Sequence, residues 1–154
     1  GIKATGLRFF TVYGPYGRPD MAIYKFTKNI YENKVIHLYN YGKNQRDFTY
    51  IDDVIDGIYN LYCHYKSNNK EKFSIFNIGN GKAVTNEKIV EILKKNLKKK
   101  VKIKKIKNQK GDVLKTLSNC NKLKRKIGFN PKTSINEGIK KFLHWFKNYY
   151  EYGK

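Results

Sequence analysis

Residues 5–13, Thr-Gly-Leu-Arg-Phe-Phe-Thr-Val-Tyr, constrain the fold more than any other stretch of the chain. The run is short, apolar and rich in aromatic and β-branched side chains, and it leads straight into Gly14-Pro15-Tyr16-Gly17-Arg18-Pro19. That composition reads as a buried strand, stopped by a loop with two Gly and two Pro. A buried strand needs neighbours, so the chain is committed to a sheet near its beginning.

The rest supplies those neighbours. Asp20 is placed to cap a helix over 21–33, where Ala22, Ile23, Phe26, Ile30 and Tyr31 recur at helical spacing. Residues 35–39 and 46–51 read as short strands around the turn Asn40-Tyr41-Gly42-Lys43-Asn44. Asp52 or Asp53 caps a helix carrying Val54, Ile55, Ile58, Leu61 and Tyr62. A polar loop runs from Ser67 to Lys72, and 73–78 is a strand ending at Gly79-Asn80-Gly81. Thr85 caps a helix to about residue 98, on the stripe Ile89, Ile92, Leu93 and Leu97. Val101 and Ile103 alternate with Lys as in a strand with one wet face; 108–118 is irregular, and a short helix near 119–126 ends at Gly128. The last helix carries Ile135, Ile139, Phe142, Leu143 and Phe146.

Strands alternating with helices define an α/β protein. Gly-rich loops at strand ends suit a parallel sheet that meets ligands at the carboxyl ends of its strands. No apolar run approaches the ~20 residues of a membrane span. Cys63 and Cys120 are too far apart in sequence for a C-x-x-C zinc site and too few for a disulfide framework, which points to a reducing, cytoplasmic setting. The start Gly1-Ile2-Lys3 carries neither Met nor a secretory signal, and a first strand with no helix before it reads as cut from something larger.

Net charge is +21, from 33 basic and 12 acidic residues. Only Arg8, Arg18, Arg46 and Arg125 are arginines; the rest is lysine, in a chain also rich in Asn, Ile and Tyr. Those residues share A/T-rich codons, so the charge has a compositional source as well as an electrostatic one. Arg18 and Arg46 stand in turns where Lys would lose bidentate geometry. Arg18, between a strand end and a helix start, suits an anion held by a guanidinium and backbone N–H groups. Arg46 is followed at once by Asp47, so an Arg–Asp pair stapling the strand is its plain alternative. Arg8, inside a strand, reads as an ion-pair partner and Arg125 as solvent-facing. No His cluster has metal spacing, no Ser sits in Gly-x-Ser-x-Gly, and there is no phosphate-loop motif.

The run Gly6-Leu-Arg-Phe-Phe-Thr-Val-Tyr-Gly-Pro-Tyr-Gly-Arg-Pro-Asp-Met-Ala22 resembles the strand-and-loop signature of NAD-dependent sugar-nucleotide epimerases and dehydratases, the extended short-chain dehydrogenases/reductases. Tyr39-Asn-Tyr-Gly-Lys-Asn-Gln-Arg-Asp-Phe-Thr-Tyr-Ile-Asp-Asp53, Phe76-Asn-Ile-Gly79, Gln109-Lys-Gly-Asp-Val113, Ile127-Gly-Phe-Asn-Pro131 and Gly138-Ile-Lys-Lys-Phe-Leu-His-Trp-Phe146 follow in the same order. Within that family the first two motifs are most similar to UDP-glucuronate 4-epimerases, which often serve capsule or lipopolysaccharide synthesis.

The resemblance implies the C-terminal part of a Rossmann-like fold, its last strands interleaved with a small substrate-binding α/β subdomain over residues 1–154. It implies NAD as cofactor, a UDP-sugar as substrate, transient oxidation at C4, and a homodimer for the full-length parent. It puts Phe9, Phe10 and Val12 at the nicotinamide and Thr11 at the sugar or its carboxylate. Arg18 falls near the substrate's charged part, and Met21 and Ala22 fall at a helix start facing the nucleotide. His37 and Tyr39 belong to the strand on which uracil docks; Arg46 matches the diphosphate-binding arginine and Asp112 the acid that bonds the ribose hydroxyls. Gln109 matches a position where galactose 4-epimerases carry Arg. The NAD loop and the catalytic Tyr-x-x-x-Lys pair are placed ahead of Gly1, so the chain is expected to lack both and to be inactive alone. Two other readings stay open: a nucleic-acid-binding module built on the lysines of 94–110, although no aromatic interleaves them, and an inactive scaffold of the same fold.

Overall fold

The computed structural model describes residues 2–67 and 73–151. In chain order the elements are β1 (Ala4–Phe9), β2 (Thr11–Tyr13), α1 (Ala22–Tyr31), β3 (Ile36–Leu38), β4 (Gln45–Tyr50), α2 (Ile51–Ser67), β5 (Phe73–Ile78), β6 (Ala83–Thr85), α3 (Asn86–Leu97), β7 (Ile103–Lys105), α4 (Asn121–Ile127) and α5 (Ile135–Tyr149). The polar loop expected from Ser67 to Lys72 lies, beyond Ser67, outside the described residues; Ser67 itself is the last residue of α2.

The expected strand over 5–13 is two strands that serve different sheets. β1 pairs parallel with β5, and β2 pairs parallel with β4. The break is a three-residue turn: the Val12 N–H donates to the Phe10 carbonyl at 2.9 Å, while the Phe10 N–H still donates to Ile78. β4 also pairs antiparallel with β6, and β3 pairs parallel with β7. Gly14, at φ +149°, follows β2 where a Cβ would collide with the Ile51 side chain. The loop therefore turns against the start of α2 with no room for another residue type.

Two hydrophobic clusters hold these pieces. The larger packs α1, β3, β4, α3 and α5 together around Ile23, Leu38, Phe48, Leu93, Phe142 and Phe146. The aromatic rings of α5 seat against Tyr24 and Tyr31 of α1. Full burial of each Phe is worth about 2–3 kcal/mol of transfer free energy. The smaller cluster joins α2, β5 and α4 through Val54, Leu61, Phe76, Ile78, Leu123 and Phe129.

Several expectations change. β1 is not buried: Thr5, Arg8 and Phe9 are exposed, and Leu7 alone of the strand packs on the smaller cluster. Its only strand neighbour among the described residues is β5. Arg8 accordingly has no acidic partner among the described residues, contrary to the expected ion pair. β7 is exposed along its whole length, with Ile103 45% accessible, so its apolar residue does not mark a dry face; the neighbouring Val101 packs on the larger cluster instead.

The caps divide in the same way. Thr85 caps α3 by accepting from the Lys88 N–H at 3.1 Å, and Ser134 caps α5 through Glu137 N–H. Asp20 does not cap α1. Met21 occupies the cap position without a side-chain bond, and Asp20 is taken by Arg18. Neither Asp52 nor Asp53 caps α2: both lie within its first turn, and the buried Asp53 carboxylate accepts from the Lys132 and Thr133 N–H groups, tying α2 to the approach to α5.

Candidate functional site

A cleft of about 320 Å³ opens between α1, β4, the end of β3, the start of α3 and the loop around Asp112. The β2–β4 register places Thr11 directly beside Phe48 on its floor. β3 alternates, with Ile36 and Leu38 buried in the core and His37 exposed toward the cleft. From α1 come Ala22, Lys25, Phe26 and Asn29, residues that share a helix face by their three- and four-residue spacing, with Met21 at the cap position before them.

After β3 the chain reverses through a tight 3-10 turn, Tyr39–Gly42, in which Asn40, Tyr41 and Gly42 all take positive φ. Two successive non-Gly residues in that region are costly, and hydrogen bonds hold them there. The Tyr41 N–H donates to the Ile106 carbonyl, and the Asn40 Nδ2 donates to Asn44 Oδ1 at 2.8 Å. Asn44 is fully buried. Its Nδ2 donates to Asp112 Oδ2 at 2.6 Å and to Asn108 Oδ1 at 3.2 Å, and its carbonyl accepts from the Asn86 N–H at the start of α3. Asn44 thus ties the turn and the 108–112 loop together through its side-chain amide and the helix through its backbone carbonyl.

Arg46 emerges from β4 beside it. Its Nη2 donates to Asp112 Oδ1 at 2.6 Å and its Nη1 to the Gln45 carbonyl. The expected alternative, an Arg46–Asp47 staple, is not formed. Asp47 points the other way and is fully buried, accepting from the backbone N–H groups of Asn80, Gly81 and Ser118 at 2.8–3.0 Å. It organises the Gly79-Asn80-Gly81 turn against Ser118.

Of the residues expected at the substrate, Thr11, Met21, Ala22, His37, Tyr39, Arg46 and Asp112 all line this one cleft. Arg18 does not. Its side chain is 74% exposed and closed onto Asp20 by contacts of 2.6 and 3.1 Å, so it is not a guanidinium fixed for an anion in this state. That contact raises the Arg18 pKa and lowers that of Asp20. Arg18 borders a much smaller notch that shares Thr11, Met21 and Phe48 with the cleft. Phe9 is half exposed at the carboxyl end of β1, Phe10 is partly buried beside it, and Val12 packs on the smaller cluster. The cleft also contains Lys25, Asn29, Phe48 and Asn86, which sequence reasoning missed. The signal for Lys25 was available: it lies three residues after Ala22 and four after Met21, on the same helical face.

The Tyr-x-x-x-Lys spacing, expected only ahead of Gly1, does occur inside the chain. Tyr24 and Lys28 share it, but Tyr24 is buried with its hydroxyl against that of Tyr150, and Lys28 reaches Glu32. Tyr62 and Lys66 are exposed on α2, away from the cleft, and Tyr39, which does line the cleft, has Lys43 exposed beyond the turn. Among the described residues no group of His, Cys, Asp and Glu could hold a metal, and no helix is long and apolar enough to cross a membrane.

A parallel-strand α/β framework with a polar cleft at its loops, an arginine and an acid facing into it, is the kind of place where open α/β folds hold polar ligands. The model of the NAD dependent epimerase/dehydratase family matches residues 1–79, and the chain belongs to that family. It is 50% identical over 147 residues to an uncharacterized protein of Methanocaldococcus jannaschii, covering 95% of this chain and 43% of that one. It is 43% identical to UDP-glucuronate 4-epimerase 1 of Arabidopsis thaliana, covering 99% of this chain and 38% of that one. Its fold matches UDP-glucuronic acid 4-epimerase from Bacillus cereus, solved with UDP-glucuronic acid and NAD, with a TM-score of 0.83 and 30% identity. That match covers 94% of this chain and 45% of the solved one. The chain thus spans less than half the length of these relatives and corresponds to the C-terminal part of a Rossmann-like extended short-chain dehydrogenase/reductase.

Proposed function

We propose that this chain is the substrate-binding portion of an NAD-dependent UDP-sugar 4-epimerase that interconverts UDP-glucuronate and UDP-galacturonate. The observation that carries this reading is the convergence of seven residues, drawn from β2, α1, β3, the turn after it, β4 and the 108–112 loop, on one cleft. Arg46 there meets the diphosphate, and Asp112 accepts from the ribose hydroxyls. His37 and Tyr39 present the backbone on which uracil docks, and Met21 and Ala22 open the helix beside the nucleotide. Thr11, on the cleft floor, bonds the sugar or its carboxylate. Arg18 serves the substrate's charged end once it leaves Asp20, a contact between exposed groups and cheap to break.

NAD supplies hydride acceptance and return at C4 when bound. The half-exposed Phe9 ring and the adjoining Phe10 offer an apolar wall for the nicotinamide, which fits that role; Val12 backs them from the core. The reading includes a homodimeric parent in the cytoplasm, a setting supported by the free thiols of Cys63 and Cys120. The chain alone binds the nucleotide and turns nothing over, because no pair at the Tyr-x-x-x-Lys spacing among the described residues lines the cleft with both members.

Calorimetric titration with UDP, followed by incubation with NAD and UDP-glucuronate, tests this. UDP binding without product supports it. Absence of UDP binding overturns the nucleotide reading, and formation of UDP-galacturonate overturns the inactivity of the chain alone.

A further inference from the structure

The cleft's charges do not balance at one position. Its ionisable lining comprises Asp20, Lys25, His37, Arg46 and Asp112. Arg46 and Asp112 are matched to each other at 2.6 Å, and Asp20 is held from outside by Arg18. Lys25 has no acidic partner among the described residues. It is exposed, one turn into α1, on the face shared by Met21 and Ala22. None of the lysines of the 94–110 stretch lines the cleft, so the excess positive charge there is local to Lys25.

We infer that Lys25 is a second phosphate-anchoring cation in this cleft, acting alongside Arg46 on the diphosphate of the nucleotide. The inference rests on the reading of the cleft as a nucleotide-diphosphate site. A diphosphate carries more than one negative charge at neutral pH, and one arginine already engaged by a carboxylate does not neutralise it. Gln109, at the loop position where the family resemblance gives galactose 4-epimerases an arginine, brings no charge. A flexible, strongly hydrated ammonium acts on phosphate as a point charge and needs no fixed fork geometry. An unpaired lysine on a mobile stem, beside an arginine held in place by Asp112, divides the work: Arg46 orients and Lys25 neutralises.

The test compares the unaltered chain with Lys25→Ala, Lys25→Arg and Lys28→Ala by calorimetry with UDP and with uridine, at about 0.15 M salt to screen long-range charge. Lys28 lies one residue short of a turn further along α1, outside the cleft, and pairs with Glu32. The expected result is an about five- to tenfold loss of UDP affinity for Lys25→Ala, no change with uridine, near-complete retention in Lys25→Arg and no change in Lys28→Ala. If the unaltered chain binds UDP and Lys25→Ala binds it equally well, the Lys25 role is overturned while the nucleotide reading stands. Equal losses in Lys25→Ala and Lys28→Ala, or an equal loss for uridine, also overturn it, the first as a general field effect and the second as a non-phosphate role. No binding of UDP or uridine by the unaltered chain removes the underlying reading and the Lys25 role with it.

Discussion

The Arg46 guanidinium and the Asp112 carboxylate meet at 2.6 Å in the cleft wall, joining a strand and a loop that are 66 residues apart in sequence. Both groups are only partly exposed, at 21% and 31%, and Asn44 holds the second oxygen of the same carboxylate. Arg46 is thereby oriented before any ligand arrives, and Asp112 is kept within reach of the same space. Replacing Arg46 with Ala is expected to weaken UDP binding by about tenfold or more, the cost of losing a charge-assisted phosphate contact. The global stability change should stay at about 1 kcal/mol, since water still reaches both members of the pair. Calorimetry and urea denaturation on the same variant separate the two effects; a large stability loss with intact UDP binding would make the pair purely structural.

Asp47 has the opposite profile. It is fully buried and its carboxylate accepts from three backbone N–H groups, so Asp47→Ala takes their acceptor from the Asn80 and Ser118 N–H groups and leaves Gly81 only the Ser118 hydroxyl. The expected cost is about 3 kcal/mol or more, read as a drop in the urea midpoint. Gly79 reinforces this point, because any Cβ there would collide with the Ser118 side chain. Tolerance of Asp47→Ala would mean that the 79–81 turn is held by something else.

The helix caps make a graded set. Thr85→Ala and Ser134→Ala each remove a side-chain acceptor from a first-turn N–H and should each cost about 1 kcal/mol. Asp20→Ala removes no cap bond and should leave the midpoint unchanged, while freeing Arg18. An Asp20→Ala loss as large as that of Thr85→Ala would contradict the assignment of the α1 cap to Met21.

Alkaline pH should expose the buried tyrosines. Burial raises the Tyr13 phenol well above its ordinary value of 10.0, with Tyr50, Asp53 and Glu137 adding to the shift; Tyr50 is raised by the same cause. A phenol harder to ionise in the folded chain contributes stability that is complete below about pH 10. That stability is lost as the pH rises from there through the raised folded-state value. Tyr13→Phe removes the larger part. The difference in midpoint between the unaltered chain and Tyr13→Phe should therefore be constant up to about pH 9 and shift in favour of the variant above about pH 10. A constant difference across the whole range would show that the two states ionise alike.

Much of the framework was legible in the chain because it follows from local periodicity. The stripes of α3 and α5, the cap Thr85 and the Gly128 end of α4 all come from interactions within a few residues of one another. The cleft was legible through motif resemblance, which named seven of its lining residues without showing that they meet. Lys25 and Asn44 were missed for different reasons. Lys25 is one lysine among many until its helix face is known to look into a cavity. Asn44 reads as an ordinary turn residue, and its burial depends on partners at Asn40, Asn86, Asn108 and Asp112.

The sequence by itself determined the helices and most of the strands, though not β6 or the division of residues 5–13, and it made the chain an α/β protein of this family. Those choices are set by side-chain periodicity, β-branching and Gly/Pro punctuation, all local in range. Only the tertiary structure decided which strand pairs with which, and with it the split of residues 5–13 between two sheets. It also decided the partners of the charges: Arg46 with Asp112 rather than its neighbour Asp47, Arg18 with Asp20, and Lys25 with no acid among the described residues. A charged side chain reaches whatever lies within a few ångströms, and that neighbourhood is assembled from residues tens of positions apart only when the two cores close.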